Sequence, residues 1–280
     1  MNGIVILNKP CGISSNTACR KVGRILSEKK VGHLGTLDPM AEGVLPVALG
    51  KCTKLFDYYL KKRKTYIAEF TFGYETDTLD REGQIVVDGG RFPTKEEIVS
   101  ILPQLCGKIA QIPPKYSAKK VSGRRAYDLA REKIEFQLEP KDVIIYKLEM
   151  LEQIDNKTYK FLIECSAGTY IRSIARDLAY ALHTFATMTR LQRTICGEFL
   201  IENSYVFEDI NACSVISPTE LLGDNIISID ENTFKHTINT GYIELPSKGE
   251  NELFVVKYDG NDVGIATQFD GKYKLVIRFV

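Results

Sequence analysis

The stretch with the clearest chemical potential is residues 31–46, VGHLGTLDPMAEGVLP. Asp38 stands directly before Pro39, and a residue before proline is biased towards extended backbone and away from helix. Glycines on both sides allow backbone or a ligand to approach closely, and an apolar run follows at residues 44–49. These features favour a carboxylate that a loop presents to a partner. A turn aspartate that caps the next helix explains the same residues, so both interpretations stay open here.

The sequence contains no pattern typical of a metal or redox site. Its seven cysteines are scattered without a C-x-x-C pair; their odd number argues against a disulfide framework and fits a reducing cytoplasm. The three histidines lack the spacing of zinc ligands. Asp77, Asp80 and Glu82 precede Gly83, but the residue order of a calcium loop is absent, so we expect the two aspartates to fix a turn. We therefore expect no metal and no cofactor.

Charge is distributed unevenly along the chain, although the formal net charge is only +1. Residues 198–232 contain eight acidic side chains and no Lys or Arg, whereas residues 51–65 contain six basic side chains and residues 108–135 contain eight. Such asymmetry favours a polyanionic partner, but two solvated surfaces of opposite sign explain it equally well. No apolar run approaches the ~20 residues of a membrane span, and a signal-peptide pattern is absent. We expect a cytoplasmic protein without membrane association.

Hydrophobic spacing predicts the elements that position these residues. The predicted strands are residues 4–7, 66–72 and 159–165, and the predicted helices follow caps at residues 14–16, at Thr94 and at residues 168–169. One face of the first helix, which runs to about Leu26, carries Ala18, Val22, Ile25 and Leu26, and one face of the last carries Ile171, Ile174, Ala175, Leu178 and Leu182. After about Leu222, short strand-like runs at 242–245, 253–257, 263–267 and 274–280 predict a small all-β terminal domain.

Six blocks of the sequence resemble, in order, the motifs of the bacterial tRNA pseudouridine synthase B family, whose members modify the T arm. They are LNKPCGISSN, VGHLGTLDPMAEGVLPVALGKCTKL, KTYIAEFTFGYETDTLDREGQIV, IPPKYSAKKVSGRRAYDLAREKI, CSAGTYIRSIARDLA and LQRTICGEF. They span roughly residues 4–200, and six co-linear blocks are far more specific than a lone short motif. Gln192, in the last block, departs from the first arginine of the family's L-R-R-T segment.

The resemblance implies an α+β fold. A pseudouridine-synthase catalytic domain with a mixed, largely antiparallel sheet would occupy residues 1–225, and a small β-rich domain similar to the PUA type would occupy residues 226–280. The implied reaction converts uridine to pseudouridine at position 55 of tRNA, in the T arm, after the base is flipped out of its stack. The N1–C1′ bond breaks, the uracil turns and C5 bonds to C1′, so the reaction consumes nothing and requires no cofactor.

The resemblance also implies the roles of six residues at the reacting centre. Asp38 takes the place of the catalytic aspartate, and such a carboxylate either traps the sugar carbon covalently or removes a sugar proton. Tyr66 would stack on the flipped base, and Arg172 would pair with Asp38 from the first turn of a helix, where the dipole disfavours a cation. A core tyrosine and a surface arginine are the alternatives at these two positions. Tyr170 and Leu191 would line the pocket, and Lys9 would support it from the first strand. These walls matter because water reaching the intermediate would release the base.

RNA contacts outside the pocket follow from the same resemblance. His33 would help to hold the RNA open beside the flipped nucleotide, although a lone loop histidine is more often structural. Residues of about 113–140 match the basic insertion with which the family clasps RNA. Lys119, Arg124 and Arg125 in this insertion, together with Lys64, are the candidate phosphate contacts.

The implied partner is the T stem-loop of tRNA, bound by a monomer without an obligate protein partner. The acidic segment at residues 198–232 and the absence of a basic excess in the terminal domain argue against an acceptor-stem contact there. Two alternative functions stay open. One is a guide-RNA-dependent pseudouridine synthase, which shares the aspartate loop but works with protein partners. The other is a non-catalytic RNA chaperone that folds tRNA.

Overall fold

The computed structural model describes residues 1–117, 119–121, 123–132, 134–245 and 253–280. Its strands are β1 (Gly3–Lys9), β2 (Val31–His33), β3 (Glu42–Leu49), β4 (Lys64–Phe72), β5 (Tyr74–Thr76), β6 (Ile85–Asp88), β7 (Gly107–Gln111), β8 (Lys120–Val121), β9 (Arg124–Arg125), β10 (Lys141–Gln153), β11 (Thr158–Cys165), β12 (Ala186–Cys196), β13 (Phe199–Leu200), β14 (Ile226–Ser228), β15 (Tyr242–Ile243), β16 (Leu253–Tyr258), β17 (Asn261–Phe269) and β18 (Lys272–Arg278). Its α-helices are α1 (Ser15–Ile25), α2 (Phe56–Leu60), α3 (Lys95–Ile101), α4 (Ala126–Arg131), α5 (Ile171–Ala181), α6 (Pro218–Leu222) and α7 (Glu231–Thr240). None of these helices is long and apolar enough to cross a membrane.

The central element is a mixed sheet with the strand order β1-β3-β12-β4-β11-β10-β7, extended by β2 beside β3 and by β13 beside β12. Within the described part of this sheet, every pair is antiparallel except β3 and β12. These two run parallel and pair only through Glu42 with Gln192 and Gly43 with Arg193. The prediction of a mixed, largely antiparallel sheet is confirmed. The short parallel contact forms a seam between two halves of the sheet. The first half contains β1, β2 and β3, and the second contains β12, β13, β4, β11, β10 and β7.

Helices α1 and α5 cover one face of the sheet, largely as their spacing predicts. Ser14 caps α1 by accepting a hydrogen bond from the Thr17 amide at 3.1 Å. All five predicted core positions of α5 are buried, although the helix begins at Ile171, later than predicted. The placement of Ile25 on the buried face is wrong, because Leu26 takes the core position and Ile25 is left 40% exposed.

The C-terminal strands form a separate sheet with the order β14-β16-β17-β18-β15. It packs on the first half of the central sheet, where Leu253, Ile265 and Ile277 share a core with Ile4 and Ala48. The predicted small β-domain is present, but its description as all-β is wrong because α7 lies within it. Its signals are an aspartate cap at residue 230, a left-handed glycine end at residue 241 and apolar residues at 234 and 238 that pack on the sheet. Residues 246–252 of the predicted domain lie outside the described part.

Candidate active site

Asp38 lies on an irregular loop between β2 and β3, residues 34–41, which we call the aspartate loop. The protein holds this loop from both sides. The Ser15 hydroxyl donates to the Leu37 carbonyl at 2.7 Å and accepts from the Leu37 amide at 2.9 Å. The Gly12 amide donates to the Pro39 carbonyl at 2.8 Å. Leu37 is buried, whereas the Asp38 side chain remains 34% exposed. The structure therefore presents this carboxylate from a fixed loop and does not use it as a helix cap.

Lys9, at the end of β1, supports the loop from below. Its side chain is fully buried, and its ammonium group donates to the carbonyls of Pro10, Ile13 and Pro39 at 2.8, 2.9 and 3.3 Å. Burial lowers the pKa of Lys9, and the nearby Asp38 carboxylate opposes this shift. The structure thus brings Lys9 to the residue that follows Asp38, consistent with the predicted supporting role.

Arg172, in the first turn of α5, joins Asp38 to the rest of the site. Its Nη2 lies 3.1 Å from Asp38 Oδ2 and its Nη1 lies 3.3 Å from Asp80 Oδ2. The same guanidinium donates to the carbonyls of Thr78 and Tyr116 at 3.0 and 3.2 Å. Its side chain is only 7% exposed, so these interactions are shielded from water. The predicted pairing with Asp38 is present, and a planar guanidinium is the group suited to join so many oxygens.

Asp80 is a site residue that the sequence analysis assigned only to a turn. It is buried, and its Oδ1 accepts hydrogen bonds from the Thr78 hydroxyl at 2.7 Å and the Glu82 amide at 3.0 Å. These bonds do fix the turn, and they also aim Oδ2 at Arg172. The available signal was the T-D-T-L-D motif at residues 76–80. It marks Asp80 as part of a motif but does not reveal that Arg172 is its partner. Within the described residues, no group of three or more potential ligands is arranged to hold a metal.

Tyr66 on β4 and Leu191 on the neighbouring strand β12 form part of an apolar wall. Tyr66 on β4 is opposite Arg193 on β12, and Leu191 is opposite Ala68. Both predicted pocket residues are buried and belong to the packed cluster that contains Leu37 of the aspartate loop. Burial raises the pKa of Tyr66, whereas the adjacent Arg193 guanidinium acts in the opposite direction. The phenol is therefore neutral at neutral pH.

Tyr170 is the residue before α5 and stands where that helix meets β7. Its amide donates to Gln111 Oε1 at 2.8 Å, and its carbonyl accepts from Gln111 Nε2 at 3.1 Å. Gln111 is buried, so this two-point contact fixes the start of the helix that carries Arg172. Burial also raises the pKa of the Tyr170 phenol. The backbone of Tyr170 is thus held two residues before Arg172, and its role as a wall residue stays a prediction.

His33, at the end of β2, packs its ring edge-on against Phe56 at a centroid distance of 6.5 Å. Its Nδ1 is buried and has no hydrogen-bond partner among the residues the structure describes. Burial lowers the pKa of His33, and the positive charge of Arg193 lowers it further. The imidazole is therefore neutral at neutral pH, and its predicted contact with RNA stays a prediction.

The four lysine and arginine candidates for phosphate contact lie in different environments. Lys119, Arg124 and Arg125 are in the insertion, where the ammonium of Lys119 donates to the Glu139 carbonyl and Arg124 pairs with Glu132. The two arginines are exposed on the hairpin of β8 and β9. Residues 118, 122 and 133 of the predicted insertion lie outside the described part of the chain.

Lys64 does not present its charge to solvent, contrary to what a phosphate contact requires. It is 6% exposed, and its ammonium donates to the carbonyls of Tyr59, Leu60 and Lys62 at 3.3, 2.8 and 2.6 Å. It therefore closes the C-terminal end of α2, where unpaired carbonyls need donors. Burial lowers the pKa of Lys64.

We expect Lys64→Met to lower the free energy of unfolding by about 1–3 kcal/mol, because three carbonyls lose the Lys64 ammonium as a donor. The salt dependence of tRNA binding should stay unchanged. Urea denaturation and binding at several salt concentrations measure the two quantities. Lys61→Met, at an exposed neighbouring position, is the matched control. A lower salt slope for Lys64→Met alone would restore the phosphate contact that the sequence suggested.

Comparison with known proteins decides the family. A family model described as TruB family pseudouridylate synthase (N terminal domain) matches residues 23–171. The chain belongs to the TruB family of pseudouridylate synthases. The chain is therefore an enzyme, a pseudouridine synthase, and the family recognised from six sequence blocks is confirmed. The matched segment contains Asp38, Tyr66, Asp80 and the aspartate loop, and it ends one residue before Arg172.

Relatives of the TruB family match most of the chain. The tRNA pseudouridine synthase B of Clostridium kluyveri is 38% identical over the full length of both chains. That of Clostridium tetani is 44% identical over 94% of this chain and 91% of its own. A chain in the crystal structure of a Cbf5-Nop10-Gar1 complex shares the fold, with a TM-score of 0.70 at 21% identity over 98% of this chain and 83% of that chain. The predicted α+β fold is thereby confirmed.

Proposed function

We propose that this pseudouridine synthase isomerises the uridine at position 55 in the T arm of tRNA and that Asp38 is its catalytic group. The relatives that match nearly the whole chain carry the name tRNA pseudouridine synthase B. The observation that carries the proposal is the state of the Asp38 carboxylate. Arg172 holds its Oδ2, while Oδ1 has no protein partner among the described residues and the side chain is partly exposed.

The proposed reaction begins when the target uridine leaves its stack, which costs a few kcal/mol. The flipped nucleotide then meets the free Oδ1 of Asp38 on one side and the apolar wall of Tyr66 and Leu191 on the other. The carboxylate either bonds to C1′ as the N1–C1′ bond breaks or removes a proton from the ribose. In both routes the uracil turns within the pocket and C5 bonds to C1′. At that step the Asp38–C1′ bond breaks in the first route, and the ribose takes its proton back in the second. C5 then loses its proton and N1 gains one, which restores the aromatic base with no net change in atoms.

Two features keep the detached base from being lost. Buried side chains around the loop exclude water, which would otherwise hydrolyse the intermediate. The hydrogen bonds that hold residues on both sides of Asp38 keep the carboxylate at a fixed distance from the ribose. The protein therefore contributes a positioned carboxylate, a neutral phenol and a closed wall.

Incubation of the pure protein with an unmodified tRNA transcript, followed by mapping of pseudouridine along the RNA, tests this proposal. We expect modification at position 55 without any added guide RNA or protein. Pseudouridine at another position would refute the substrate assignment and leave the chemistry intact. Activity that required a guide RNA and partner proteins would support the guide-dependent alternative. We also propose that the enzyme is cytoplasmic and that it works as a monomer. Light scattering of the enzyme and of its tRNA complex tests the oligomeric state.

We propose that the insertion contacts phosphate through Arg124 and Arg125. Changing both to Ala should weaken tRNA binding and reduce the magnitude of the slope of log K against log salt by about 1–2, because each lost phosphate contact removes just under one unit. The rate of the bound complex should change by less than about threefold, since neither residue lies at the reacting centre. Filter binding between low and moderate salt measures the slope.

The matched control for this prediction is Lys147→Ala, which removes an exposed cation paired with Glu149 on β10, outside the insertion. It should leave the slope unchanged. An unchanged slope in the double arginine variant as well would place the phosphate contacts elsewhere on the protein.

A further inference from the structure

We propose that Arg193 is a positioning residue for pseudouridine formation, which holds the aspartate loop across the seam of the sheet. The proposal rests on the catalytic role proposed above for Asp38. On the same strand, the family resemblance assigns Leu191 to the pocket and finds a departure at Gln192. Neither residue explains why Arg193, which follows them, carries a buried charge. Among the described residues, Arg193 is the largest of the fully buried side chains, at 1% exposure.

All three nitrogens of the Arg193 guanidinium donate to backbone carbonyls around the aspartate loop. Nε donates to Val44 at 2.8 Å, Nη1 to Thr36 at 3.1 Å and Nη2 to Gly35 at 3.1 Å. Gly35 and Thr36 precede Asp38 by three and two residues, whereas Val44 lies on β3. One side chain from β12 thus binds the loop and the strand that follows it.

The seam explains why a long side chain is needed at this position. Strands β3 and β12 pair in parallel through only two residue pairs, the second being Gly43 with Arg193. The backbones are so close there that a Cβ on Gly43 would lie 2.3 Å from the Arg193 carbonyl oxygen, and Gly43 has a φ of +103°. Since no further β3–β12 pairs follow among the described residues, the Arg193 side chain supplies the next connection between the two strands.

With Arg193 in place, every carbonyl from residue 35 to residue 39 accepts a hydrogen bond. Arg193 binds those of residues 35 and 36, Ser15 binds that of Leu37, the Ala41 amide binds that of Asp38, and Gly12 and Lys9 bind that of Pro39. Removing Arg193 would leave only the first two carbonyls of this series, those of residues 35 and 36, without this donor. The carboxylate would then keep its partner Arg172 but lose the fixed backbone on one side.

Burying the charge of Arg193 costs free energy, and packing alone does not explain why a charged side chain stands at this position. Within the described residues, no carboxylate lies within 4.0 Å of its guanidinium, so the cation is balanced only by carbonyl dipoles and its neighbour Tyr66. An apolar side chain of similar volume would fill the same space but would leave the carbonyls of Gly35, Thr36 and Val44 without this donor. Holding three carbonyls in a fixed orientation requires the donors of a planar fork.

Arg193→Lys tests the proposal, because lysine keeps the charge and most of the volume but cannot reach three carbonyls in one plane. We expect the single-turnover rate on unmodified tRNA transcript to fall by about 100-fold, since small displacements of a reacting group carry penalties of that order. The dissociation constant of tRNA should stay within about threefold, because Arg193 is buried and cannot touch RNA. Circular dichroism and thermal unfolding establish that the variant is folded.

The matched control is Arg190→Lys, three residues earlier on β12, where the guanidinium is exposed and pairs with Glu42 and Glu69. It should retain the wild-type rate. A folded Arg193→Lys variant that keeps its single-turnover rate, or that loses only tRNA affinity, overturns the proposal. Asp38→Asn is assayed in parallel. If Asp38→Asn stays active, the proposed function itself fails, whereas an inactive Asp38→Asn beside an active Arg193→Lys rejects only the role of Arg193.

Gly35→Ala decides the question if Arg193→Lys does not fold. Gly35 has a φ of +137°, which an L-residue adopts only with strain, so the substitution shifts the held carbonyl while Arg193 stays in place. We expect the single-turnover rate to fall by about tenfold or more while the tRNA affinity stays unchanged. A wild-type rate in folded Gly35→Ala would overturn the proposal.

Discussion

Asp38→Asn is expected to lower the single-turnover rate of pseudouridine formation by at least about 10⁴-fold, the scale seen when a central reacting group is removed. The amide has nearly the same shape, but it is a far weaker nucleophile and base than the carboxylate. Because Asp38 sits on a loop fixed through its neighbours, the pocket should keep its geometry and tRNA affinity should change by less than about threefold. Rapid quench with tritium release from C5 of uridine measures the rate.

The control for this prediction is Asp57→Asn, which removes an exposed carboxylate from α2 and should be fully active. Residual activity of Asp38→Asn within about tenfold of the wild type would remove Asp38 from the chemistry. The experiment also separates an enzyme from a tRNA chaperone. A chaperone would keep its effect on tRNA folding in the variant, whereas an isomerase loses its only chemical product.

Local signals allowed much of the fold to be predicted. Ser14 and Thr94 were recognised as caps from neighbouring residues alone, and both accept the expected backbone amide. The apolar spacing of α5 also depends on one helical face, so its five buried positions could be derived without knowledge of the partner strands. The placement of Ile25 failed because two adjacent apolar residues competed for one position at the helix end.

Prediction failed at Lys64 and Asp80, for two different reasons. Lys64 was counted as an exposed charge, yet the alternation that buries Tyr66 and Ala68 extends back to Lys64 and places it on the same buried face of β4. Asp80 was assigned to a turn from its neighbours, while its ion pair with Arg172 spans 92 positions along the sequence and has no local signature. At Lys64 the local alternation was available and was not used, whereas at Asp80 the missing information was a tertiary contact, which residue types alone do not encode.

Arg172→Lys is expected to lower the single-turnover rate by about 10²–10³-fold, because misplacing a reacting carboxylate by about 1 Å has an effect of this size. Arginine joins Asp38, Asp80 and two carbonyls with one planar group. An ammonium is a compact charge that can approach one carboxylate closely but cannot hold both in the same geometry. The rate loss should exceed any loss of tRNA affinity, which gel-shift titration measures alongside the rate.

Arg176→Lys, one helical turn further along α5, is the matched control, because its guanidinium binds Asp177 and the Ile112 carbonyl outside the reacting centre. It should stay within about threefold of the wild type. Asp80→Asn separates the two carboxylates: the amide keeps the turn but removes the negative charge that pairs with Arg172. If both residues act through this one guanidinium, the Asp80→Asn and Arg172→Lys effects will be less than additive in the double variant. Full additivity would mean that Asp80 contributes through the turn alone, and an Arg172→Lys enzyme with the wild-type rate would leave Asp38 positioned solely by its loop.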